Sequence, residues 1–393
     1  NGKTSTAWWL AVALSGLDAD LAIPCGLVGT LGAGRPPALM TTGMTTPDPV
    51  LLQRQFRGFV DQGLRACAIE ASSIGLAERR LDGTRVRVAV FTNFTHDHLD
   101  YHGTMQAYWR AKAALFAWPG LKAAVVNLDD PMAPEVLSIL SSRDIETWTY
   151  SLRGSGRLQA RDVHFSGAGL SFTVIEAGVA IPMQTRLVGQ FNVSNLLGVI
   201  GAMRAMDVPL ARAIEACSTL SPVPGRMDCV AWPGRPLVAV DYAHTPDALQ
   251  QALLSLRPLA NERGGRLWCV FGCGGDRDAA KRPLMGRLAQ QLADRIVLTS
   301  DNSRSEDPQA IIREIQAGLE NHERVDVEPE RSRAIAHALT HANPGDVVLI
   351  AGKGHEDYQE SAGVRQPFSD KACALTVLSR LGSPTAGFLG IQA

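Results

Sequence analysis

The sequence NGKTSTAWWLAVAL, residues 1–14, begins with the second half of a phosphate-binding loop and runs into an apolar helix. It matches the last four positions of G-x-x-x-x-G-K-[ST]. In such a loop the glycine lets backbone N–H groups approach a phosphate, the lysine supplies positive charge, and the threonine binds Mg²⁺ at the start of the helix. The alternative is an ordinary surface turn. The residues of this candidate loop are Asn1, Gly2, Lys3, Thr4 and Ser5.

Composition and charge exclude several classes of protein. A chain of 393 residues with 46% hydrophobic and 20% charged residues predicts two or three globular domains. The formal net charge of -1 provides no basic field for nucleic acid or anionic lipid. The apolar stretch 7–14 is too short to cross a bilayer. We therefore expect a protein that binds no nucleic acid and inserts into no membrane. A monomer is expected as well, although composition and charge do not bear on it.

Seven cysteines are scattered along the chain without a C-x-x-C pair. This pattern is typical of a reducing compartment and predicts a cytoplasmic protein. Because a natural chain rarely starts inside a phosphate loop, we also expect an upstream segment to precede residue 1, with room for a further domain.

The first part of the chain predicts an α/β domain. Residues 4–14 have a helical pattern, whereas 65–71 and 86–92 are β-rich apolar runs typical of buried parallel strands. Residues 148–189 contain short runs interrupted by glycine, which favours antiparallel hairpins, and 194–206 is helical again. The Pro- and Gly-rich segment 222–236 predicts a domain boundary.

After this boundary, apolar runs alternate with helical stretches, which predicts a mostly parallel sheet covered by helices. The predicted strands are 237–240, 266–271, 295–299 and 346–350, and the predicted helices are 246–258, 281–294, 307–320 and 331–342. Each strand runs into a polar cluster: DYAH (241–244), GCGGDRD (272–278), SDNSR (300–304) and GKGHE (352–356). Because the carboxyl ends of strands form the binding crevice in open α/β sheets, the four clusters should converge on one site.

Two further groups of side chains indicate chemistry. The stretch FTNFTHDHLDYHGTMQAYWRAKAALF (91–116) crowds three histidines and two aspartates together, which suits zinc or, at least as well, Mg²⁺ with Glu70 as a second candidate ligand. Arg277, Arg304 and Glu356 belong to three of the strand-end clusters and suit a substrate with both carboxylate and ammonium groups. The alternative for these three is an internal ion-pair network.

The ordered motifs resemble those of the Mur ligases, from residue 1 to about residue 370. They are NGKTST, TTPDP, EASS, DHLDYHG, AYWRAK, GQFNVSN, VPGRMD, VDYAHTPDAL, FGCGGDRDAAKRPLMG, DNSRSEDP and AGKGHEDYQ. The resemblance implies a central P-loop ATPase-like domain (1–221) with a mostly parallel sheet plus antiparallel hairpins. It also implies a Rossmann-like C-terminal α/β domain that binds an amino acid (222–393), and an N-terminal uridine-binding domain upstream.

The resemblance further implies ATP-dependent ligation in peptidoglycan precursor synthesis, a process that supports cell shape and division. ATP would phosphorylate the D-glutamate carboxylate of UDP-N-acetylmuramoyl-L-alanyl-D-glutamate, and the amine of meso-diaminopimelate would attack the acyl phosphate. The implied cofactors are ATP, Mg²⁺ and a CO₂-derived carbamate on Lys112.

Site residues follow from the same resemblance. The implied catalytic residues are Lys3, Glu70, His98 and Lys112, and the implied metal ligands are Thr4, Glu70, His98 and Lys112. Besides the loop, the implied nucleotide contacts are Asn192, Asn195, Arg226, Asp241 and His244. The implied contacts to the muramoyl dipeptide are Thr45, Thr46, Ser72 and Arg80, and those to the diamino acid are Arg277, Asp301, Asn302, Arg304, Gly352 and Glu356.

One departure from the family pattern affects the diamino-acid site. The usual Asp-Asn-Pro-Arg motif is Asp301-Asn302-Ser303-Arg304 here, so the fixed φ of proline is absent and selectivity is expected to be looser. The alternatives are the lysine-adding relatives, in which the position of Asn302 is typically acidic, a folylpolyglutamate synthetase-like ligase, and a nonenzymatic nucleotide-binding protein. The neutral Asn302 beside Arg304 favours a substrate with a second carboxylate.

Overall fold

The computed structural model describes residues 1–166 and 169–382, and these residues divide into two compact α/β units. The first unit is Asn1–Val223 and the second is Pro224–Ala393. Each unit has its own sheets and its own buried core, so each is described by itself.

The first unit contains eight helices, ten strands and one short 3-10 helix among its described residues. In chain order they are α1 (Lys3–Ser15), β1 (Cys25–Gly29), β2 (Gly32–Arg35), β3 (Ala38–Met40), α2 (Pro49–Asp61), β4 (Ala66–Ile69), α3 (Ser73–Ala77), β5 (Val88–Phe91), α4 (Leu99–His102), α5 (Met105–Ala113), the 3-10 helix (Ala114–Ala117), β6 (Ala123–Asn127), α6 (Ala133–Ser141), β7 (Glu146–Ser151), β8 (Leu158–Ser166), β9 (Gly169–Glu176), β10 (Val179–Thr185), α7 (Phe191–Arg204) and α8 (Leu210–Ser218).

Two sheets form the framework of the first unit. One has the strand order β3-β2-β1-β4, and the other has the order β10-β9-β8-β7-β6-β5. Strands β5 to β8 run parallel, whereas β8, β9 and β10 form antiparallel hairpins. The prediction of hairpins over 148–189 is therefore confirmed for β8 to β10 and wrong for β7, which pairs parallel on both sides.

Helices α1 and α7 are central to the core of the first unit. Helix α1 is apolar around most of its circumference, and Trp9 and Leu14 are each 1% exposed. A helix of this composition is stable only when it is covered on all sides. Its side chains pack with those of α7 and of the six-stranded sheet in one continuous cluster, so the amino end of α1 is held rigidly.

The second unit contains five helices and eight strands among its described residues. They are β11 (Asp228–Val230), β12 (Leu237–Asp241), α9 (Pro246–Glu262), β13 (Leu267–Phe271), α10 (Lys281–Leu292), β14 (Arg295–Leu298), α11 (Pro308–Gln316), β15 (Val325–Val327), α12 (Arg331–His341), β16 (Val347–Ala351), β17 (Tyr358–Ser361), β18 (Val364–Pro367) and α13 (Asp370–Gly382).

The main sheet of the second unit has the order β11-β12-β16-β13-β14-β15, in which only β11 is antiparallel. Strands β12, β13 and β16 are apolar and almost fully buried, as expected when helices cover both faces of a parallel sheet. The four predicted strands are neighbours and their carboxyl ends share one edge. The prediction that the four polar clusters converge is confirmed. Strands β17 and β18 form a separate two-stranded hairpin.

All seven cysteines lie in the described residues and are free thiols. Burial raises the pKa of Cys25 and Cys217 in the first unit to about 12. It also raises the pKa of Cys273 to about 12 and that of Cys373 to about 11 in the second unit. At neutral pH these side chains are therefore protonated and pack as small apolar groups.

Candidate functional site

The start of α1 has the backbone of a phosphate-binding loop. Gly2 has a φ of 78°, a left-handed conformation that favours glycine, and its carbonyl accepts the first helical hydrogen bond from Thr6 N at 2.9 Å. A Cβ atom on Gly2 would lie 2.4 Å from Asn195 Oδ1. Glycine is therefore required at this position by both conformation and space, and the amino end of a helix that begins in this way favours an anion.

Asn192 and Asn195 lie on the first turns of α7 beside this loop. Asn195 Nδ2 donates to Asn192 Oδ1 at 3.0 Å, and Asn192 Nδ2 donates to Val188 O at 2.7 Å. Both side chains are buried. The sequence-predicted nucleotide residues of the first unit are thus brought together, with the two amides held by each other and Asn195 packed against Gly2.

Glu70 is a buried carboxylate directly after β4, and it is 2% exposed. It accepts hydrogen bonds from Thr4 Oγ1 at 3.0 Å, from Thr30 N at 2.9 Å and from Thr30 Oγ1 at 3.2 Å. A Cβ atom on Gly29 would lie 2.2 Å from Glu70 Oε1, so the close packing of β1 depends on that glycine. These donors are uncharged, and they hold the carboxylate in place without neutralising it.

The oxygen atoms at this position fit a hard divalent cation. The Thr4 hydroxyl and the Glu70 carboxylate lie together at the amino end of α1, and Mg²⁺ prefers carboxylate and hydroxyl oxygens near phosphate groups. Burial is the main cause that lowers the pKa of His98, so its ring is neutral at pH 7 and able to bind a metal. The donor set therefore fits Mg²⁺.

The crowded histidines of 91–116 do not form a metal centre by themselves. No group of three or more His, Cys, Asp or Glu side chains in residues 1–166 and 169–382 is arranged to hold a metal ion. His102 Nε2 is instead within 3.0 Å of Ser73 Oγ, and the His102 ring stacks on Tyr108. The described residues therefore do not bear out the zinc interpretation of this cluster.

Lys112 lies on α5 with its Nζ 5.3 Å from the centre of the Tyr108 ring. Burial, with the positive charge of Lys3 as the second cause, lowers the pKa of Lys112 to about 7. Lys3 also contributes to the lowered pKa of His98. Three of the four predicted catalytic residues, Lys3, His98 and Lys112, therefore share one electrostatic environment, which favours the neutral form of the Lys112 amine.

The residues predicted to bind the muramoyl dipeptide form a network with Glu70. Thr46 Oγ1 donates to Glu70 O at 2.6 Å and lies 3.0 Å from Ser72 Oγ, while Arg80 Nη1 donates to Thr46 O at 2.9 Å. Thr45 Oγ1 lies 3.0 Å from Thr30 Oγ1. The predicted substrate residues of this unit are thus brought together around the main chain of Glu70.

In the second unit, Asn302 is the centre of the strand-end site and is 2% exposed. Its Nδ2 donates to Glu356 Oε2 at 2.8 Å, and its Oδ1 accepts from Lys353 Nζ at 2.8 Å. Gly352 has a φ of 119°, and a Cβ atom on it would lie 2.3 Å from Asp301 Oδ2. Two of the clusters, SDNSR and GKGHE, are therefore interlocked at this point.

The two arginines of the predicted site are placed differently. Arg304 has a φ of 51° and donates from Nη1 to Gly275 O at 2.6 Å. Arg277 is exposed. Glu356 forms an ion pair with Lys353 at 3.1 Å. The expectation that Arg277, Arg304 and Glu356 together suit a substrate with carboxylate and ammonium groups stays a prediction.

The predicted nucleotide contacts of the second unit surround Tyr242. The Arg226 guanidinium lies 4.4 Å from the centre of its ring, and the His244 ring lies 4.6 Å from it. Asp241 Oδ2 accepts from Met227 N at 2.7 Å. Burial raises the pKa of Asp241 to about 6, against the opposing charge of Arg226. The three predicted residues thus form one group at the end of β12.

Thr30 and Lys353 were not predicted from the sequence, although both contact predicted residues. Thr30 lies in the turn between β1 and β2, far along the chain from Glu70, and a single threonine in a Gly-rich stretch gives no signal. Lys353 belongs to the GKGHE cluster, but the sequence did not show that its side chain is completely buried.

A cavity of about 590 Å³ in the first unit lies among α1, β4 and β5. Strands β4 and β5 are the last strands of their respective sheets among the described residues. The lining is largely apolar and includes Lys3 and Glu70. The cavity therefore reaches the candidate phosphate-binding lysine and the candidate metal-binding carboxylate at the amino end of α1.

Within the part of the chain that the structure describes, no helix combines the length and the apolarity that crossing a bilayer requires.

The arrangement in the first unit is that of an ATP-dependent phosphate-transferring enzyme, and comparisons with known proteins give the family. The Mur ligase middle domain matches residues 1–203, and the Mur ligase glutamate ligase domain matches residues 225–354. The chain belongs to the Mur ligase family, whose members are ATP-dependent, ADP-forming amide ligases that use Mg²⁺.

Individual relatives carry more specific names. The chain is 62% identical over 386 residues to UDP-N-acetylmuramoyl-L-alanyl-D-glutamate–2,6-diaminopimelate ligase of Acidovorax sp. (strain JS42), covering 97% of this chain and 77% of that protein. It is 47% identical to the ligase of the same name from Ralstonia nicotianae, covering 97% of this chain and 75% of the relative. A solved structure of a ligase of this name has a TM-score of 0.69 at 38% identity, covering 97% of this chain and 77% of that one.

Proposed function

We propose that the protein joins meso-diaminopimelate to the D-glutamate carboxylate of UDP-N-acetylmuramoyl-L-alanyl-D-glutamate, with ATP as the phosphate donor. The observation that carries the ligase activity is the Thr4–Glu70 contact at the amino end of α1. The relatives named above act on these substrates. We further propose that residues 1–221 are the ATP-binding domain and 222–393 the amino-acid-binding domain, in a monomeric cytoplasmic enzyme.

The chemistry has two steps. A carboxylate oxygen of D-glutamate attacks the γ-phosphorus of ATP, ADP leaves, and an acyl phosphate forms. The neutral amine of the diamino acid then attacks the acyl carbon, phosphate leaves, and the amine proton is lost as the amide forms. Bound Mg²⁺ would stabilise negative charge on the transferring phosphate. Lys3 and the N–H groups of α1 stabilise the same charge from the protein.

Thr4 and Glu70 would hold one Mg²⁺ and His98 a second, and Lys112 would add a metal ligand as a carbamate. In this modification the neutral amine attacks CO₂, a proton leaves, and the nitrogen carries a carboxylate. The lowered pKa of Lys112 supports the proposal because only the neutral amine reacts. The modification converts a cation beside Lys3 into an anion, which relieves the repulsion between the two lysines.

The identity of the amino acid rests on Asn302. Its neutral amide, with Arg304 in the same turn, suits a ligand with a second carboxylate, whereas an acidic residue at this position would favour the extra ammonium of L-lysine. We expect the full-length protein to release phosphate from ATP only when the muramoyl dipeptide and meso-diaminopimelate are both present. Equal or faster phosphate release with L-lysine would contradict the substrate assignment.

The carbamate has its own test. Lys112→Ala should abolish turnover, and a short carboxylic acid should partly restore it in Lys112→Gly. Independently of activity, protein equilibrated with ¹³C-bicarbonate should show a carbamate carbon signal by NMR that is absent from Lys112→Ala. Unchanged turnover in Lys112→Ala, or an identical spectrum, would contradict the proposal. Lys122, an exposed lysine of the same unit, supplies the matched control as Lys122→Ala.

A further inference from the structure

Lys353 is a fully buried lysine that connects two residues of the strand-end site. It follows β16 and is 0% exposed. Its Nζ donates to Asn302 Oδ1 at 2.8 Å and to Glu356 Oε2 at 3.1 Å. Burying an ammonium group is costly unless it is paired and hydrogen-bonded. These two contacts therefore offset the cost of placing a charge inside the second unit.

Lys353 also determines how the amide of Asn302 is oriented. Asn302 Oδ1 accepts from Lys353 Nζ and from the backbone N–H of Glu360, at 2.8 and 2.9 Å. Both neighbours are donors, so the oxygen must face them and Nδ2 must face the opposite way. In that orientation Nδ2 donates to Glu356 Oε2 at 2.8 Å. Loss of Lys353 would therefore remove one of the two donors that fix which side of the Asn302 amide carries Oδ1 and which side carries Nδ2.

The same lysine orients the carboxylate of Glu356. The hydrogen bonds from Asn302 Nδ2 and Lys353 Nζ both end on Oε2. Oε1 is then the oxygen that remains to accept a hydrogen bond from a ligand. The Glu356 side chain is 17% exposed, so this oxygen belongs to a group that a ligand can reach. A carboxylate with one oxygen fixed by two donors has little freedom to rotate away.

We propose that Lys353 is a positioning residue of the diamino-acid site: it fixes the Asn302 amide and turns Glu356 Oε1 toward the ammonium group of the incoming amino acid. This inference rests on the function proposed above. Lys353 does not touch the substrate in this proposal and acts through its two neighbours.

The test is Lys353→Met, which keeps the length of the side chain and removes the charge and the hydrogen bonds. We expect the KM for meso-diaminopimelate to rise at least about tenfold, the range for loss of hydrogen bonds to a charged group, and the KM for ATP to stay within about twofold. The matched control is Lys371→Met, because Lys371 pairs with Asp228 at 2.8 Å in the same unit but lies outside the site. The control should change neither KM.

A double-mutant cycle separates positioning from general stability. If Lys353 acts through the amide, Lys353→Met should have a much smaller effect on the KM for the diamino acid in an Asn302→Ala background than in the wild type. Additive effects of the two substitutions would overturn the part of the proposal in which Lys353 fixes the Asn302 amide. Lys353→Gln, which can donate to the same oxygens without a charge, should lie between wild type and Lys353→Met.

The outcomes also separate this inference from the proposed function. Failure of the wild-type protein to release phosphate with meso-diaminopimelate would contradict the function itself. Normal wild-type turnover combined with an unchanged KM in Lys353→Met would contradict only the role of Lys353. Loss of the folded state in both Lys353 variants, measured by circular dichroism, would assign the lysine to stability alone and would equally overturn the proposal.

Discussion

Glu70 and Glu356 are two largely buried carboxylates whose hydrogen-bond donors differ in charge. Glu70 receives hydrogen bonds from two hydroxyl groups and one backbone N–H, all uncharged. Glu356 receives them from an amide and from the ammonium of Lys353. A carboxylate held by neutral donors keeps its charge for an external cation, whereas one paired with lysine is largely compensated. The first arrangement suits metal binding and the second suits discrimination between amino acids.

The largest effect that this comparison predicts is for Glu70→Gln. The substitution keeps the shape and removes the charge, so we expect kcat to fall by about 10²- to 10³-fold and the Mg²⁺ dependence to weaken, because the anionic ligand is lost. The measurement is phosphate release over a Mg²⁺ titration. Glu356→Gln is the comparison variant, and it should act mainly on the KM for the diamino acid. A similar loss of kcat in both variants would show that the two carboxylates do not differ in role.

Lys112 and Lys353 differ in the same way, and a change of pH distinguishes their roles. Lys353 is paired with Glu356, whereas burial and the charge of Lys3 lower the pKa of Lys112 to about 7. As the pH falls below this value, Lys112 becomes protonated and stops reacting with CO₂. Forming the carbamate releases a second proton besides the one lost by the ammonium, so its occupancy at constant dissolved CO₂ depends on pH twice. We therefore expect kcat to fall by more than tenfold, approaching about a hundredfold, for each pH unit below about 6.5, in step with the ¹³C carbamate signal. Constant carbamate occupancy between pH 5.5 and 8 would contradict this prediction.

Asn302→Asp should have an intermediate effect. A carboxylate at this position would attract Lys353, remove the Nδ2 donor and place a second negative charge beside Glu356. We expect the ratio of kcat/KM for meso-diaminopimelate to that for L-lysine to fall about tenfold, since repulsion now opposes the second carboxylate of the substrate. Competition between the two amino acids in one assay measures the ratio directly. An unchanged ratio would mean that Asn302 does not contribute to the discrimination between the two amino acids.

The smallest effect is expected at Ser303. Its hydroxyl lies 3.0 Å from Ser361 Oγ, which ties the turn before Arg304 to β17. Because Ser361 is exposed and the backbones of Arg304 and Ser361 also form a bridge, Ser303→Ala should raise the KM for the diamino acid by less than about threefold. If the hydroxyl contact restricts the backbone of residue 303 as a proline would, Ser303→Pro should bring the KM for the diamino acid in a Ser361→Ala background back toward the wild-type value. A rise of the KM well above about threefold in Ser303→Ala would contradict the prediction that this hydroxyl contact has a small effect.

The second unit was more predictable from sequence than the first. Its strands are apolar runs that each end in a polar cluster, and parallel topology alone brings those ends together. The helix 307–320 was predicted too long, since α11 ends at Gln316. The sequence did not reveal that Lys353 is the partner of Glu356, because a lysine between two glycines is typical of a solvated loop.

In the first unit, the sequence pattern of residues 25–40 did not predict the strands that the structure has there. The stretch CGLVGTLGAGR is rich in glycine and lacks the alternation of a half-exposed hairpin. The structure gives the reason at Gly29, where any side chain would collide with Glu70. The residues closest to the candidate metal site are thus the ones whose composition departs most from ordinary strand composition. Thr30 was overlooked for the same reason.

The seven thiols have a practical consequence for following the stability of the chain. Three lie in the first unit and four in the second, and burial raises the pKa of each, so alkylating reagents that need a thiolate react slowly with the folded protein. Opening of either unit exposes its own set of cysteines. Mass spectrometry of labelled peptides in rising denaturant therefore reports the unfolding of each unit separately, without any introduced probe.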